Sequence, residues 1–438
     1  MRRTLRELPE SLDETYERIL KEIKKPNRDL ARRVLQCLVV ATRPLRVAEL
    51  AEVLAIDFDD AEGIPRLKPD WLWEDQEQAL LIACSSLIAV VEAGNITSKA
   101  RTGAGGSRAV AGDSRIVQFS HFSVKEFLTS SRLATASGEI SNHYIDLEPA
   151  HTILGQACLG VLLQIQDNVE GCTAEDHPLA RYAAEHWTTH AQFGEVSSRL
   201  HKGMEHLFDT NKPHFKVWLT LYDIDSYPNR DATFFTFAPY DKSPAVPIYY
   251  AALCGFRDLV EHLIAKHSQD VNADGGYYVR PLVAALAGEH FRTADLLCHK
   301  GADLDVRGYD GNMSHAAAFS GNSKVLRKLI EYGFTDIDAE NNGGYTPLHC
   351  ASDIGNLSGG SVLRLLLEHG AGINVRATDG RTPLHIASTT GMLEAMHVLL
   401  EHGADVEVKN NDGKTALQVA ASRGRDKAVE LLREHGAK

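Results

Sequence analysis

Thr346-Pro347-Leu348-His349 returns 36 residues later as Thr382-Pro383-Leu384-His385, and 33 residues after that as Thr415-Ala416-Leu417-Gln418. Self-similarity at such a period decides a fold, because it marks one small unit stacked on copies of itself. Upstream, Asn312-Met313-Ser314-His315, Arg280-Pro281-Leu282-Val283 and Val246-Pro247-Ile248-Tyr249 stand in the same phase, at steps of 34, 32 and 34 residues. Other marks keep register. An Ala-x-x-x-Gly follows at Ala251 and Gly255, Ala317 and Gly321, Ala351 and Gly355, Ala387 and Gly391, and Ala420 and Gly424. Gly-Ala recurs at 301–302, 370–371, 403–404 and 436–437, and Asp-Gly at 310–311, 379–380 and 412–413.

Each mark has a physical role. Thr is a good helix N-cap, and Pro fits the first helical position, where its missing N–H costs nothing. Small Ala residues let a first helix pack closely on its neighbour. The next Gly permits the turn into a second helix, and the Gly of Gly-Ala stops that helix in a left-handed conformation. Asp-Gly suits a tight hairpin. One repeat is thus a hairpin and two antiparallel helices, which cannot bury its apolar face without stacking.

The pattern resembles the ankyrin-repeat family over nearly 200 residues, as six repeats starting near 246, 280, 312, 346, 382 and 415. The three from Tyr345 to Lys438 are close to consensus and the first three are degenerate. The second departs most: Val283 replaces the motif His, and Gly288 comes one place early. Extra residues around Ser358-Gly359-Gly360 predict a longer loop between the helices of the fourth. The charged segment Arg425 to Glu434 suits a terminal cap, and Phe215 to Leu219 is a candidate helix at the other end. The resemblance implies that His349, His385 and His315 bridge backbone groups of neighbouring repeats, a structural role.

It also implies a concave partner surface made of hairpin tips and the exposed side of each first helix. Tip candidates are Tyr309, Asn312, Tyr345, Thr378, Arg381, Asn411 and Lys414. First-helix candidates are Phe319, Ser320, Asp353, Ile354, Thr389, Thr390, Ser422 and Arg423. Aromatic and Arg side chains carry most affinity at interfaces, which favours Tyr309, Phe319, Tyr345, Arg381 and Arg423. Alanine at Tyr345 and Arg381 is expected to weaken partner capture without lowering the melting temperature.

Residues 1–240 lack this period. Ser11-Leu12-Asp13-Glu14 is a capping-box pattern opening a helix to about Lys24. Helices follow from Arg28 to Ala41, Ala48 to Ala55 and Gln76 to Leu87. Ile88 to Val91 and Ile116 to Phe119 are β-rich and predict a hairpin, whose tip is the Gly-, Ala- and Ser-rich stretch Asn95 to Ser114. A helix from Ser123 to Ser130 comes next. Three helices and then a hairpin is the order of a winged helix. Leu12-Asp13-Glu14-Thr15-Tyr16-Glu17-Arg18-Ile19-Leu20, Arg43-Pro44-Leu45, Cys84-Ser85-Ser86-Leu87 and His121-Phe122-Ser123-Val124-Lys125-Glu126-Phe127-Leu128 resemble the segment after the NTPase in fungal NACHT–ankyrin proteins, a winged helix of the GPI inositol-deacylase type. Pro178-Leu179-Ala180-Arg181-Tyr182-Ala183-Ala184-Glu185-His186-Trp187 resembles that family's helical linker. The resemblance implies a STAND-type, NLR-like recognition protein without its NTPase. The expected organisation is mostly α: an N-terminal helix (1–25), a winged-helix α+β domain (26–135), a helical linker (145–240) and an ankyrin-repeat solenoid (241–438).

Catalytic constellations are sparse. No G-x-x-x-x-G-K-[ST] string is present to cradle phosphates, and no G-x-S-x-G elbow to carry a serine nucleophile. No enzymatic activity and no cofactor are therefore expected; a longer NTPase, of which this chain is the C-terminal part, is the alternative. His186-Trp187-Thr188-Thr189-His190 has zinc-helix spacing but lacks the Glu of H-E-x-x-H and a third ligand, so no metal is expected. Ser120-His121-Phe122-Ser123 reads as a packed hairpin-to-helix junction. A winged helix could read DNA, but its reading helix, 75–87, has no Lys or Arg to aim at base edges.

Composition sets the outer bounds. The 438 residues are 44% hydrophobic and 24% charged, ordinary for a chain with a real core, and the net charge of −13 disfavours general binding to nucleic acid or anionic membranes. The seven cysteines include no C-x-x-C pair and read as core residues in a reducing compartment. The N-terminus has no apolar signal region, and no apolar run approaches a membrane span. The expected location is the cytoplasm, with the nucleus as the other compartment, and the expected partner is a protein rather than nucleic acid, membrane or a small-molecule substrate.

Overall fold

A computed structural model describes residues 12–58, 64–84, 86–92, 115–165, 177–225, 246–308, 311–353 and 359–438. The hairpin tip expected at 95–114 lies outside these residues. The chain divides into two compact units, 1–224 and 225–438. None of the described helices is long and apolar enough to cross a membrane.

The first unit begins with α1 (Leu12–Glu22), α2 (Arg28–Val40), β1 (Leu45–Arg46) and α3 (Val47–Leu54). A small ribbon, β2 (Ile56–Asp57) with β3 (Arg66–Leu67), leads to α4 (Gln76–Cys84), then β4 (Ile88–Glu92) and β5 (Arg115–Phe119). The expected hairpin is present, with Ile88 opposite Phe119 and Glu92 opposite Arg115. The link around Pro44, read only as extended, supplies a third strand: Leu45 pairs with Val117, giving the antiparallel order β1-β5-β4. Then come α5 (Phe122–Leu128), α6 (Ser131–Ala134), α7 (Leu147–Leu162), α8 (Ala180–Ala191), α9 (Val196–Leu207) and α10 (His214–Leu221).

Helix α7 organises this unit. It has no Lys or Arg and is buried along most of its length, as a helix apolar on all sides must be. It packs against α8, α9, α2 and β3. Gly155 and Gly160 make that possible: a Cβ on Gly155 would stand 2.8 Å from Leu200 Cδ1, and one on Gly160 2.9 Å from the Pro65 carbonyl. The segment read as an end-cap for the repeats is α10. Its Phe215 and Trp218 are buried against Phe208 and Trp187, and the Trp218 indole donates to the Ala184 carbonyl at 3.0 Å. Such aromatic pairs add roughly 0.5–1.5 kcal/mol each beyond their area.

The second unit is six helix pairs in series: α11 (Pro247–Leu253) with α12 (Arg257–His267), α13 (Pro281–Ala287) with α14 (Phe291–His299), α15 (Met313–Ser320) with α16 (Ser323–Glu331), α17 (Pro347–Ser352) with α18 (Gly359–Glu368), α19 (Pro383–Thr390) with α20 (Leu393–Glu401), and α21 (Ala416–Ser422) with α22 (Asp426–Glu434). A two-residue ribbon, β6 (Arg307–Gly308) with β7 (Gly311–Asn312), precedes α15. First helices stack on first helices and second on second, except between the second and third pairs, where both contacts are weaker. Leu282, Leu348 and Leu384 are buried in that seam, each worth about 1.5–3 kcal/mol. The longer loop expected between the helices of the fourth repeat falls on 354–358, outside the described residues.

The degenerate second repeat shows its departures in the backbone. Gly255, Gly321, Gly391 and Gly424 turn the chain between helices at φ between 65° and 79°. The equivalent position in repeat two is Glu289, at φ 55°, and Val279 before α13 is also left-handed at φ 66°. Left-handed conformations strain residues with a Cβ, β-branched ones most. The same repeat begins the loosest joint: α13 and α15 pack less closely than any other consecutive pair of first helices.

Candidate functional site

The motif histidines are the fixed points of the array. His349 Nδ1 accepts from the Thr346 N–H at 3.1 Å, and its Nε2 donates to the Arg381 carbonyl of the next repeat at 3.1 Å. His385 does the same with Thr382 at 3.2 Å and the Lys414 carbonyl at 3.1 Å, and His315 reaches the Tyr345 carbonyl at 3.0 Å. An acceptor Nδ1 and a donor Nε2 require the neutral ring. Burial enforces that state, holding His349 down at about 4 despite favourable bonds to carbonyls, and lowering His385 likewise. Val283 offers no such ring at the second joint. At the first joint Tyr249 replaces it: its hydroxyl accepts from the Tyr278 N–H at 3.1 Å and donates to the buried Asp225 carboxylate at 3.0 Å.

The hairpin tips are joined to one another. Tyr345 donates its hydroxyl to Asp379 at 2.8 Å, and Asp379 also accepts the Arg381 N–H at 2.9 Å and lies 3.4 Å from its guanidinium. Burial, and then the neighbouring carboxylate, push the Tyr345 hydroxyl up to about 12. Burial alone would raise Asp379, but the Arg381 N–H and the Tyr345 hydroxyl outweigh it and hold the carboxyl below its usual range. Thr378 donates to the Gly343 carbonyl at 2.7 Å, and Asn411 donates through Nδ2 to the Thr378 carbonyl at 2.9 Å.

The residues read as partner contacts therefore separate. Tyr309 and Ile354 lie outside the described residues. Asn312 is not a tip residue: it is 1% exposed and caps α15, its Oδ1 accepting from the N–H groups of Ser314 and His315. Tyr345, Thr378 and Asn411 are committed to the tip-to-tip ladder, so a register role stands beside any contact role. Phe319, Arg381 and Thr389 are half-buried, while Ser320, Asp353, Lys414 and Arg423 are exposed. Arg376 and Lys409, both exposed, belong to the same tips and were missed. Their signal was available, since each stands six residues before a repeat start.

The first unit holds the other polar clusters. Glu49, fully buried, takes two guanidinium bonds from Arg43 at 2.8 Å and the Arg46 N–H at 2.8 Å; against the upward pull of burial, these arginines hold its carboxyl below the usual range. Glu52 accepts the Leu179 N–H at 2.6 Å and so ties α3 to the start of α8. In the zinc-like string, His190 uses both nitrogens, one with His151 Nδ1 at 2.8 Å and one with the Tyr182 hydroxyl at 2.9 Å, while His186 turns edge-on to Tyr182. Burial holds His190 down at about 3. His121 Nδ1 lies 2.6 Å from Ser123 Oγ, which also meets the Tyr16 hydroxyl at 2.7 Å, and His121 caps α5. Among the described residues no carboxylate orients the other nitrogen of His121. A cavity of about 290 Å³ is lined by Ile64, Pro65, Arg66, Leu163, Gln164, His206, Lys212 and His214.

The profile of the family described as Ankyrin repeats matches 308–379 and 356–438, as three copies. The C-terminal region consists of ankyrin repeats. The match begins where the loose second joint ends and leaves the two repeats before it unmatched. A Monascus ruber protein named azaphilone pigments biosynthesis cluster protein L is 30% identical over 317 residues, covering 68% of this chain and 61% of that protein. That alignment is longer than the repeats from 246 onward, so part of the first unit is shared too. The chain thus spans about three-fifths of that relative's length. An ankyrin repeat-containing protein of Schizosaccharomyces pombe is 39% identical over 70 residues, 16% of this chain and 32% of its own. Alpha-latrotoxin-Lg1a of Latrodectus geometricus is 38% identical over 81 residues, 18% of this chain and 6% of the toxin. Ankyrin repeats support protein partners as the class of ligand.

Proposed function

We propose that this chain is a non-catalytic recognition or adaptor protein, in which the ankyrin face holds a protein partner and the first unit couples that event to a signalling output, as in NLR-like proteins. The observation that carries the reading is the tip ladder: Tyr345–Asp379–Arg381 and Asn411–Thr378 hold consecutive tips in one rigid row. A rigid surface binds without losing ordering entropy. Lys414, at the tip before α21, and Arg423, which follows that helix, have exposed side chains.

For the first unit, the order α2, β1, α3, α4, β4, β5 and the sheet order β1-β5-β4 support a winged-helix domain over 26–135. The segments that resemble NACHT–ankyrin proteins also meet one another. Tyr16 bonds Ser123, and Arg43 lies over the Tyr182 ring at 4.9 Å. Helix α4 spends Leu80, Ala83 and Cys84 on its own core and has no Lys or Arg, which favours a packing module over a DNA reader. The test is capture of proteins by the full chain and by a Lys414→Ala/Arg423→Ala variant. Retained capture by the variant removes this surface from the reading.

A further inference from the structure

The tips of the last two ankyrin repeats carry the same pair of cations twice. Arg376 and Lys409 stand six residues before the fifth and sixth repeat starts, and Arg381 and Lys414 one residue before. In the fourth repeat these two places hold Glu340 and Tyr345, so the row of cations ends at an aromatic ring. Two further cations stand in the turn between α21 and α22: Arg423 follows α21, and Arg425 donates to the Thr389 carbonyl at 3.3 Å. The tips of the fifth and sixth repeats thus carry four cations, Arg376, Arg381, Lys409 and Lys414, beside the Asp-Gly carboxylates Asp379 and Asp412. Asp379 is already taken by Tyr345 and Arg381. Among the described residues, no carboxylate lies within ion-pair distance of Arg376, Lys409, Lys414 or Arg423. At an earlier tip the pattern is different: Arg280, the residue at the start of the second repeat, is paired with both Asp274 and Asp303, and the earlier cations without an ion pair among the described residues, such as Lys266, Arg292 and Arg327, lie on second helices.

Like charges gathered on one face without counter-charges raise the local potential above that of a chain whose net charge is −13. The tip ladder fixes their spacing, because Arg376 bonds Asn411 at 3.3 Å while Asn411 bonds Thr378. We propose that this row is the docking site of an acidic, extended peptide segment of a partner protein, with carboxylates along the tips of the fifth and sixth repeats. The proposal rests on the reading of the ankyrin face as a partner surface and adds the partner's chemistry. A peptide fits better than a nucleic acid, since the row spans only two repeats and a long polyanion would cross the acidic remainder of the surface.

The test is fluorescence anisotropy of the full chain with a fluorescein-labelled deca-glutamate peptide at about 50 mM salt, where surface charges are weakly screened. Lys409→Glu/Lys414→Glu should weaken binding by at least about tenfold, whereas Arg364→Glu/Arg433→Glu, the same charge change on α18 and α22, should leave it unchanged. All four side chains are exposed, so the melting temperatures should agree; if the double variant misfolds, Lys414→Glu alone serves. Equal binding by the strip variant, equal loss in the control, or tighter binding of a single-stranded oligonucleotide overturns the proposal. If proteins cross-linked through position 423 are still captured by Lys409→Glu/Lys414→Glu, the partner surface stands and only its acidic specificity falls.

Discussion

At the scale of single residues, neutral histidines connect the array to pH. His349 releases its proton on folding, so between about 6.5 and about 4 the unfolded chain binds more protons than the native one. Its contribution is complete above the upper limit and is lost as pH falls through that window. A protonated Nδ1 would also face the Thr346 N–H donor to donor. Denaturant midpoints should therefore fall from pH 7 to pH 5, and His349→Leu should show a shallower fall from a lower start. Leaving the buried Thr346 N–H without a partner costs about 1 to 3 kcal/mol, while the Arg381 carbonyl keeps the Ala377 N–H at 2.9 Å. Glu289 works in the opposite direction. At φ 55° it occupies a glycine position, and its contacts to Asn322 and Lys324 are exposed, so they contribute little. Glu289→Gly should raise stability by up to about 1 kcal/mol in equilibrium unfolding. Tyr345 reverses an expectation from the sequence. Because its hydroxyl holds Asp379, Tyr345→Phe should lower stability by about 1 kcal/mol, so alanine there cannot be a silent probe of binding.

At the scale of elements, the legibility of the sequence follows the range of the interactions. The Thr-Pro-Leu-His strings read correctly because capping, the first-turn proline and the helix-ending glycines act within a few residues. The pairing of β1 with β5 was not legible, since Leu45 meets Val117 across most of a domain. The tip ladder was hidden for the same reason: Thr378 and Asn411 look like free polar tips until a neighbour 33 residues away is placed beside them. Asn312 misled because a buried N-cap and an exposed tip favour the same residue type. The second joint was legible in part, since Val283 lacks a bridging ring. With α13 loosely packed on α15 and a strained Glu289 between α13 and α14, the joint should open before the others. Hydrogen exchange on the full chain should show α13 and α14 losing protection at lower denaturant than α19 and α20. Simultaneous loss would mean that all six repeats unfold as one unit.

At the scale of the whole molecule, the buried chemistry is structural and the exposed chemistry is electrostatic. Glu49, Glu52 and His190 are each consumed by partners inside the first unit, while Arg376, Lys409 and Lys414 stand exposed at the tips of the last two repeats with no carboxylate within ion-pair distance among the described residues. The central claim is that a protein partner lies on the tip face of the last repeats. Photo-cross-linking from full-length chains carrying a benzophenone side chain at position 414 or 423, with position 364 on α18 as control, tests it most directly. A protein adduct from 414, shared by 423 if the partner extends along α21, and none from 364 is expected; equal labelling from all three positions, or labelling from 364 alone, would contradict a partner on this face.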